Sequence, residues 1–305
     1  MNVVPQFQSR NKCPLCGSDR LGDYFVLDGI RIAACHTCGF IFARDTLLTP
    51  EIEQFYAGYQ GQRRMDGQRV NATININVLR SFYPDFAGCS LLDIGSGYGF
   101  LIEKARDYGM ARVVGVELSQ VQRTYSIEKL KLQTFSQLDD LSTDAQFDIV
   151  TAFEVIEHIP EPREFIRRAC GQLKTGGSLI IGTDNFNSNV VNTLGCQFPK
   201  WIPHEHISHF TAKTLKQMLE TTETLRFAGG ISFTPWELCL RQLIFQATSG
   251  RRGGKIYNHQ NEILPANHKG YRFFPLRFMI NHMWFNLTKR ANLDGEMMFI
   301  HMIKE

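Results

Sequence analysis

The chain has 305 residues, of which 43% are hydrophobic and 21% are charged, a globular composition with room for one large and one small domain. Its formal net charge of +3 is too small to indicate nucleic-acid binding by itself. Residues 1–12 lack the apolar core of a signal peptide, and no run approaches the roughly 18 apolar residues of a membrane span, so we expect a cytoplasmic protein.

Two pairs of cysteines lie near the N-terminus, each with two residues between its members and a glycine after it: Cys13 and Cys16, then Cys35 and Cys38. This spacing favours a tetrahedral zinc ion held by two knuckles. Four thiolates leave no open coordination position, so the predicted site is structural. Two disulfides are the competing interpretation, which a cytoplasmic location disfavours.

Residues 1–45 are predicted to form a small zinc ribbon around these cysteines. Short strands at Tyr24–Leu27 and Arg31–Ala34 flank Asp28-Gly29, which is a hairpin turn signal. A second and larger domain is predicted for residues 46–305.

The segment at residues 90–100, SLLDIGSGYGF, is the most informative part of the larger domain. Its apolar start predicts a buried parallel strand that reaches Asp93, and the following turn leads into a helix from about Leu101. Three glycines occupy alternate positions in the turn: Gly95, Gly97 and Gly99. Without Cβ atoms, the backbone can pass close to a ligand. A dinucleotide-binding turn would place its third glycine at position 100, which is phenylalanine, so the pattern favours a cationic cofactor over a pyrophosphate.

Strands and helices alternate after this turn. Strands are predicted at Arg112–Leu118, Gln146–Phe153 and Ser178–Thr183, with a helix at Pro162–Leu173. This order predicts a parallel sheet with helices on both faces, in which ligands bind beyond the carboxyl ends of the strands. Four acidic residues fall at or beyond these ends and are expected to converge on one crevice: Asp93, Glu117, Asp139 and Glu154.

The pattern Asp-x-Gly-x-Gly-x-Gly resembles motif I of the class I S-adenosylmethionine-dependent methyltransferases, and residues 154–158, EVIEH, resemble the segment after their fourth strand. The resemblance covers roughly residues 50–305. It implies an α/β, Rossmann-like fold with a seven-stranded, mostly parallel sheet and helices on both faces. Its final strands would be Leu225–Phe233 and Glu296–Ile303. A helix predicted at Thr49–Tyr83 would form an N-terminal lid within residues 50–85.

The resemblance also implies S-adenosylmethionine as the cofactor. Asp93 would hold the methionine amino group, Glu117 would accept the ribose hydroxyls, and Leu118 would pack on adenine. Asp139 is a further candidate for the adenine, and Glu154 would lie near the sulfonium. The backbone of the turn would line the ribose and the methionine: Gly95, Ser96, Gly97, Tyr98 and Gly99.

A histidine-rich loop, PHEHISH at residues 203–209, follows the fifth predicted strand. It resembles a segment of several sugar and small-molecule methyltransferases in which a histidine points at the acceptor, and imidazole suits general base catalysis near neutral pH. His206 is the first candidate for the base, followed by His209 and His158. The competing interpretation gives these histidines a structural role only. A second metal held by the histidines of this loop is disfavoured, since Glu205 is the only carboxylate beside them.

An insert at residues 235–294 separates the last two predicted strands. Residues 251–290 contain eight Lys or Arg and one acidic residue, and Tyr271–Leu287 is apolar nearly all round, so this helix is predicted to be buried. Packing on the rest of the chain or in a homodimer is the first interpretation. A membrane-surface helix with basic flanks against anionic lipid is the second, and nucleic acid is the least favoured partner.

These features together predict a cytoplasmic methyltransferase that acts on a small-molecule acceptor. A zinc ribbon joined to this catalytic type resembles bacterial enzymes that methylate sugars or other metabolites of polysaccharide and natural-product pathways, with a hydroxyl as the expected acceptor. Methylation of rRNA or tRNA is an alternative, since zinc ribbons also occur on rRNA methyltransferases. A non-catalytic protein that binds S-adenosylmethionine is a second alternative, which the intact glycine turn, ribose acid and histidine loop disfavour.

Overall fold

The computed structural model describes residues 7–47, 62–142, 145–203, 205–222, 224–248 and 273–305. Its strands in these ranges form a two-stranded, a four-stranded and a seven-stranded sheet. None of the helices in the same ranges is both long and apolar enough to cross a membrane.

The N-terminal region consists of short strands: β1 (Phe7–Ser9), β2 (Leu21–Leu27), β3 (Ile30–Cys35), β4 (Ile41–Ala43) and β5 (Asp45–Leu47). β2 and β3 form the predicted hairpin, each longer than predicted, and Asp28 and Gly29 adopt φ values of 50° and 78° in its turn. β1 pairs with β5, and β4 pairs with β3. Because Leu21 pairs with Cys35, the hairpin brings the two cysteine pairs to the same end of this region.

The helix α1 spans Gln62–Phe82. It corresponds to the later part of the helix predicted at Thr49–Tyr83, and the first part of the predicted lid, residues 50–61, lies outside the described residues. Apolar residues of α1, such as Val70 and Val78, share one buried core with the start of the next helix at Leu101.

The large sheet has a mostly parallel order. Its strands are β6 (Ser90–Ile94), β7 (Arg112–Val116), β8 (Gln133–Phe135), β9 (Phe147–Phe153), β10 (Leu173–Asp184), β12 (Leu225–Phe233) and β13 (Met297–Lys304). The remaining strand, β11 (Ser208–His209), belongs to the four-stranded sheet. The spatial order is β12-β13-β10-β9-β6-β7-β8, and β13 is antiparallel to both of its neighbours. The other pairs in this sheet are parallel, which confirms the predicted seven-stranded α/β fold.

Helices connect these strands: α2 (Phe100–Asp107), α3 (Gln120–Glu128), α4 (Pro162–Gly171), α5 (Asn189–Leu194), α6 (Ala212–Thr222), α7 (Trp236–Ala247) and α8 (Phe274–Thr288). β6 lies between β7 and β9. The strands β7 and β8 are therefore on one side of β6, and the later strands are on its other side. A crevice opens at such a reversal beyond the carboxyl ends of the strands, where ligands bind in this class of sheet. All five residues of β6 are buried, as expected of a strand that helices cover on both faces.

The helix α8 of the insert is covered by the rest of the described chain on one side only. Met279, Met283 and Leu287, on the uncovered side, are 51%, 53% and 79% exposed, so the predicted burial of this side would require a partner. Phe285 on another side is fully buried, and Trp284 donates from Nε1 to the carbonyl of Thr234 at 2.8 Å. α8 therefore packs on the large domain along one side and leaves the other side open.

Candidate active site

A cavity of about 630 Å³ opens beyond the carboxyl ends of β6, β7 and β9. Its volume is within the range of small-molecule sites. Among the predicted site residues, those that line it are Asp93, Gly95, Ser96, Gly97, Glu117, Leu118, Glu154, His158 and His206. The structure therefore brings together three of the four strand-end acids, most of the glycine turn and two of the three histidines.

The glycine turn requires glycine at two positions for two separate reasons. Gly95 and Gly97 have φ values of 75° and 56°, which side chains rarely adopt. A Cβ at Gly95 would collide with Val155, and a Cβ at Gly97 would collide with the side chain of Gln68. The turn is thus tightly covered by neighbouring elements, and the amides of Gly97 and Tyr98 donate to the side chains of Glu117 and Gln68.

Glu117 is held in place by the turn itself. Its Oε2 accepts from the backbone N–H of Gly97 at 2.8 Å, and its Oε1 accepts from the N–H of Ser119 at 2.7 Å. Burial raises the pKa of this carboxyl above its ordinary value, and the two N–H donors oppose that change. The carboxylate therefore has a fixed orientation and remaining lone pairs for further donors.

Asp93 is 4% exposed and accepts one hydrogen bond, from Thr151 Oγ1 at 2.6 Å. Burial raises its pKa to about 7. A buried carboxylate of this kind is stabilised by a cationic group. The hydroxyl of Ser96, nearby in the turn, is buried and has no hydrogen-bond partner among the described residues. An amine-bearing ligand would satisfy the carboxylate of Asp93.

Three predicted cofactor residues lie away from the cavity. Asp139 sits in a short 3-10 turn and pairs with Arg168 on the surface at 2.7 Å, so the structure does not support it as an adenine contact. The side chain of Tyr98 is buried and packs edge-on against Tyr125, with ring centroids 5.3 Å apart. Gly99 has a φ of 86° at the start of α2, and its role in the structure is this backbone conformation. Leu118, by contrast, lines the cavity and is 45% exposed, which suits a hydrophobic contact.

Glu154 follows β9 with a φ of 54°, an unusual conformation for a residue with a long side chain. Its carboxylate accepts from Asn71 Nδ2 of α1 at 2.5 Å. Burial raises the pKa of this carboxyl. The turn therefore places a half-buried acid at the cavity wall, beside Asn71 of α1.

His158 and His206 line the same cavity with their rings nearly perpendicular and centroids 4.8 Å apart. Nδ1 of His158 is 2.8 Å from the carbonyl oxygen of Glu205, which can only accept, so this nitrogen carries the hydrogen. In the neutral ring the lone pair is then on Nε2. Nδ1 of His206 lies 3.6 Å from Oδ2 of Asp184. A hydrogen bond thus orients the ring of His158, and the ring of His206 lies near a carboxylate.

His209 does not line the cavity, which corrects its prediction as a candidate base. It lies in β11, fully buried between Phe186 and Trp201, with ring centroids 4.5 Å and 4.6 Å away. Burial lowers its pKa to about 3, and neither ring nitrogen has a hydrogen-bond partner among the described residues. Its role is packing.

An ionic cluster lies next to the histidines, and no local sequence pattern predicts it. Lys200 Nζ lies 2.5 Å from Oδ1 of Asp184 and 3.2 Å from Oε1 of Glu296. Burial alone would lower the pKa of Lys200, but Asp184 and Glu296 raise it well above its ordinary value. Burial and then Asp184 raise the pKa of Glu157 well above its ordinary value. One cation is therefore surrounded by several carboxyl groups at this end of the cavity.

The same end contains donor atoms that could hold a cation. Atoms of Glu157, His158 and His206 all lie within 4.8 Å of one another. This group differs from the histidine set weighed above, because His204 is outside the described residues and His209 is turned into the core.

The four N-terminal cysteines fit a zinc ion. Sγ of Cys13 is 3.6 Å from that of Cys38, Sγ of Cys16 is 3.5 Å from that of Cys35, and all four lie within 4.8 Å of one another. These separations exceed the roughly 2.05 Å of a disulfide. They are close to the spacing of thiolates that each lie about 2.3 Å from a tetrahedral zinc ion. The N–H of Leu15 also donates to Cys13 Sγ at 3.4 Å, as in a zinc knuckle.

Comparison with known proteins agrees with this geometry. Residues 63–223, more than half of the chain, match a family model described as a methyltransferase domain. The ubiquinone biosynthesis O-methyltransferase of Aeromonas salmonicida is 30% identical over 163 residues, which cover 48% of this chain and 68% of that protein. The protein of the same name from Coxiella burnetii is 34% identical over 137 residues, 40% of this chain and 58% of its own length.

A solved structure has the same fold. It is a chain from the complex between the Haloferax volcanii Trm112 methyltransferase activator and a methyltransferase, with a TM-score of 0.52 and 14% sequence identity. The alignment covers 83% of this chain and 97% of that chain.

Proposed function

This chain belongs to the methyltransferase family and is an S-adenosylmethionine-dependent enzyme, and we propose that it methylates a hydroxyl of a small-molecule acceptor. The observation that carries the proposal is that His158 and His206 line the same cavity as Asp93 and Glu117. The candidate base and the proposed cofactor residues thus share one cavity. The names of the relatives from Aeromonas and Coxiella, both O-methyltransferases of ubiquinone biosynthesis, support a hydroxyl acceptor.

The cofactor would bind through the strand-end acids and the glycine turn. Bound S-adenosylmethionine supplies an activated methyl group on a sulfonium. Glu117 would accept the ribose hydroxyls with a carboxylate that Gly97 and Ser119 already orient. Asp93 would pair with the methionine ammonium, which favours the ionised carboxylate despite burial.

The acceptor would be activated at the histidine end of the cavity. His206 would remove the hydroxyl proton as the oxygen attacks the methyl carbon, because a neutral hydroxyl is a poor nucleophile. His158 would orient the ring of His206 by its perpendicular contact.

The acceptor class within small molecules stays a hypothesis. A sugar hydroxyl of a polysaccharide or natural-product pathway is the acceptor that the histidine loop suggests, whereas the names of the relatives refer to ubiquinone biosynthesis. O-methylation in either pathway transfers the methyl group to an oxygen, so the same base chemistry serves either. We infer a cytoplasmic location from the four separated N-terminal sulfurs, which suit reduced thiols or a bound metal.

We also propose that Cys13, Cys16, Cys35 and Cys38 hold one structural zinc ion. Metal analysis of the purified protein is expected to find one zinc per chain, and Cys35→Ser is expected to lose most of it. Cys196→Ser, a change at an exposed cysteine outside the cluster, is the matched control and is expected to keep the metal. A chain purified without metal but with two disulfides by mass spectrometry would contradict both the site and the compartment.

We propose that the insert at residues 235–294 binds an anionic membrane surface. The open side of α8 presents an apolar stripe at helical spacing: Leu276, Met279, Ile280, Met283 and Leu287. The neighbouring helix α7 exposes Leu240 and Leu243, and Arg277 of α8 pairs with Glu237 of α7 at 2.9 Å. The excess of basic residues at 251–290 supports anionic lipid rather than a second copy of the chain.

Vesicle sedimentation tests this surface. The protein is expected to bind phosphatidylglycerol vesicles more strongly than phosphatidylcholine vesicles and to lose binding as salt rises. Leu287→Ser is expected to weaken binding at least about tenfold, since withdrawing a large apolar side chain from lipid costs about 1.5 kcal/mol or more. Val121→Ser, at an exposed site on α3, is the control. Equal binding by both variants would contradict the proposal, and a dimer that Leu287→Ser dissociates would favour the homodimer instead.

A further inference from the structure

The ribbon and the acceptor side of the cavity share a β-sheet. β11, which immediately follows His206 and Ile207, is the outer strand of the ribbon sheet, in the order β11-β4-β3-β2. Ser208 pairs with Phe42 and His209 pairs with Ile41. The N–H of Ala43 also donates to the carbonyl of Ile207 at 2.9 Å. The ribbon therefore binds the backbone directly beside the candidate base.

The same short segment is anchored on its inner side to the cavity wall. The N–H of Ile207 donates to the carbonyl of Glu157 at 2.9 Å, while the carbonyl of Glu205 is 2.8 Å from Nδ1 of His158. Ile207 thus connects the ribbon strand β4 with the turn that carries Glu157 and His158. His206 lies between two residues whose backbones are fixed by these bonds.

Side chains reinforce the connection. Trp201, at the start of the loop, meets Phe25 of β2 edge-on with ring centroids 4.8 Å apart. Phe210, just after β11, packs on Phe40 of the ribbon at 4.9 Å. Arg163 of α4 donates from Nε to the carbonyl of Leu15, between the first two cysteines, at 2.6 Å. The ribbon is therefore packed on both ends of the histidine loop and on α4.

The cofactor side of the cavity is held by different elements. The amides of Gly95 and Ser96 donate to the carbonyl of Val116 on β7 at 2.8 Å and 3.0 Å. The amide of Tyr98 donates to Gln68 Oε1 of α1 at 2.9 Å. One half of the cavity is thus built on β6, β7 and α1, and the other half includes a strand of the ribbon sheet.

We propose that the ribbon is a positioning element of the acceptor site: its strand β4, stabilised by the cysteine cluster, fixes the loop at residues 201–209 and with it His206. This inference rests on the proposed role of His206. It assigns the N-terminal region a part in turnover and none in cofactor affinity. His209 fits this role, since its buried ring packs between Trp201 and Phe186 where the loop joins the ribbon.

Hydrogen–deuterium exchange of the full chain tests the inference without requiring an acceptor. Removal of the metal by a chelator, or Cys35→Ser, is expected to raise exchange in residues 201–210, while residues 90–99 stay protected. Readdition of zinc to the chelated wild type should restore protection. Unchanged exchange at 201–210 in a metal-free ribbon would overturn the inference, and because no methyl transfer is measured, this failure is distinct from failure of the proposed reaction.

A variant distant from the cysteines keeps the test independent of ribbon unfolding. Phe25→Ala removes the contact with Trp201 and is expected to lower kcat at least about tenfold, since a displacement of about 1 Å near reacting groups can cost on the order of a hundredfold. The affinity for S-adenosylmethionine should be unchanged, and Phe25→Leu should restore most of the turnover. Val26→Ala, on the same strand but 65% exposed, is the control. Wild-type kcat in Phe25→Ala, or an equal loss of cofactor affinity, would overturn the inference.

Discussion

Replacing His206 with glutamine is expected to lower kcat by about a hundredfold to ten-thousandfold, the usual effect of removing a general base. Glutamine keeps a polar side chain of similar reach but cannot take up the acceptor proton. The dissociation constant for S-adenosylmethionine should stay near the wild-type value, because the proposed cofactor residues Asp93 and Glu117 lie at the ends of β6 and β7. Turnover is measured as release of S-adenosylhomocysteine, and affinity by calorimetry.

The pH dependence separates a base from a residue that only shapes the loop. Turnover of the wild type should rise with pH as the imidazole of His206 loses its proton, and this rise should be absent in His206→Gln. His158→Gln should cause a smaller loss and keep the rise. His282→Gln, at a half-buried histidine of α8 away from the cavity lining, is the control. A His206→Gln enzyme with wild-type kcat and the same pH rise would show that His206 is not the base.

Replacing Glu117 with alanine is expected to raise the dissociation constant of S-adenosylmethionine by about 5-fold to 150-fold, the equivalent of about 1–3 kcal/mol for hydroxyl donors left without an acceptor. The same change removes the acceptor of the Gly97 and Ser119 amides, so the turn itself loses support. The effect is measured by calorimetry of the purified protein.

Glu128→Ala is the matched control for Glu117, because it removes an exposed acid of α3, the helix that follows β7. Its affinity for S-adenosylmethionine should equal that of the wild type. Wild-type affinity in Glu117→Ala would remove Glu117 from the cofactor site.

The sequence predicts those parts of the site whose conformation depends on residues nearby in the chain. The turn at Gly95 and Gly97 needs backbone conformations that only glycine adopts readily, and Glu117 ends a strand that follows at the usual interval. The cysteine pairs carry their geometry in their spacing. Each of these features depends on neighbours within one turn or one strand, so the pattern is visible in the chain.

The parts that the sequence misses depend on distant contacts. His209 is turned into the core because a strand of only two residues pairs with the ribbon, and no pattern of the loop predicts that pairing. Asp139 follows a strand of only three residues, too short for alternation to fix the direction of its side chain. The contacts of Lys200 with Asp184 and Glu296 join the loop to the end of β10 and the start of β13.

One missed feature did leave a signal. Gln68, Asn71 and Asn75 of α1 line the cavity at spacings of three and four residues, which is one side of a helix. The same helix also carries buried apolar residues, among them Val70, Ile74 and Val78. A polar row on a helix that also carries a buried face indicates a lined cavity, and this signal was available in the sequence.

The central claim, methylation of a small-molecule hydroxyl, is tested most directly by incubating the purified protein and deuterated-methyl S-adenosylmethionine with a host extract divided into small molecules, RNA and protein. The label is expected in the small-molecule fraction as a methyl ether, and His206→Gln should leave that fraction unlabelled. Label confined to RNA or protein, or attached to nitrogen or carbon in the small molecules, would contradict the claim.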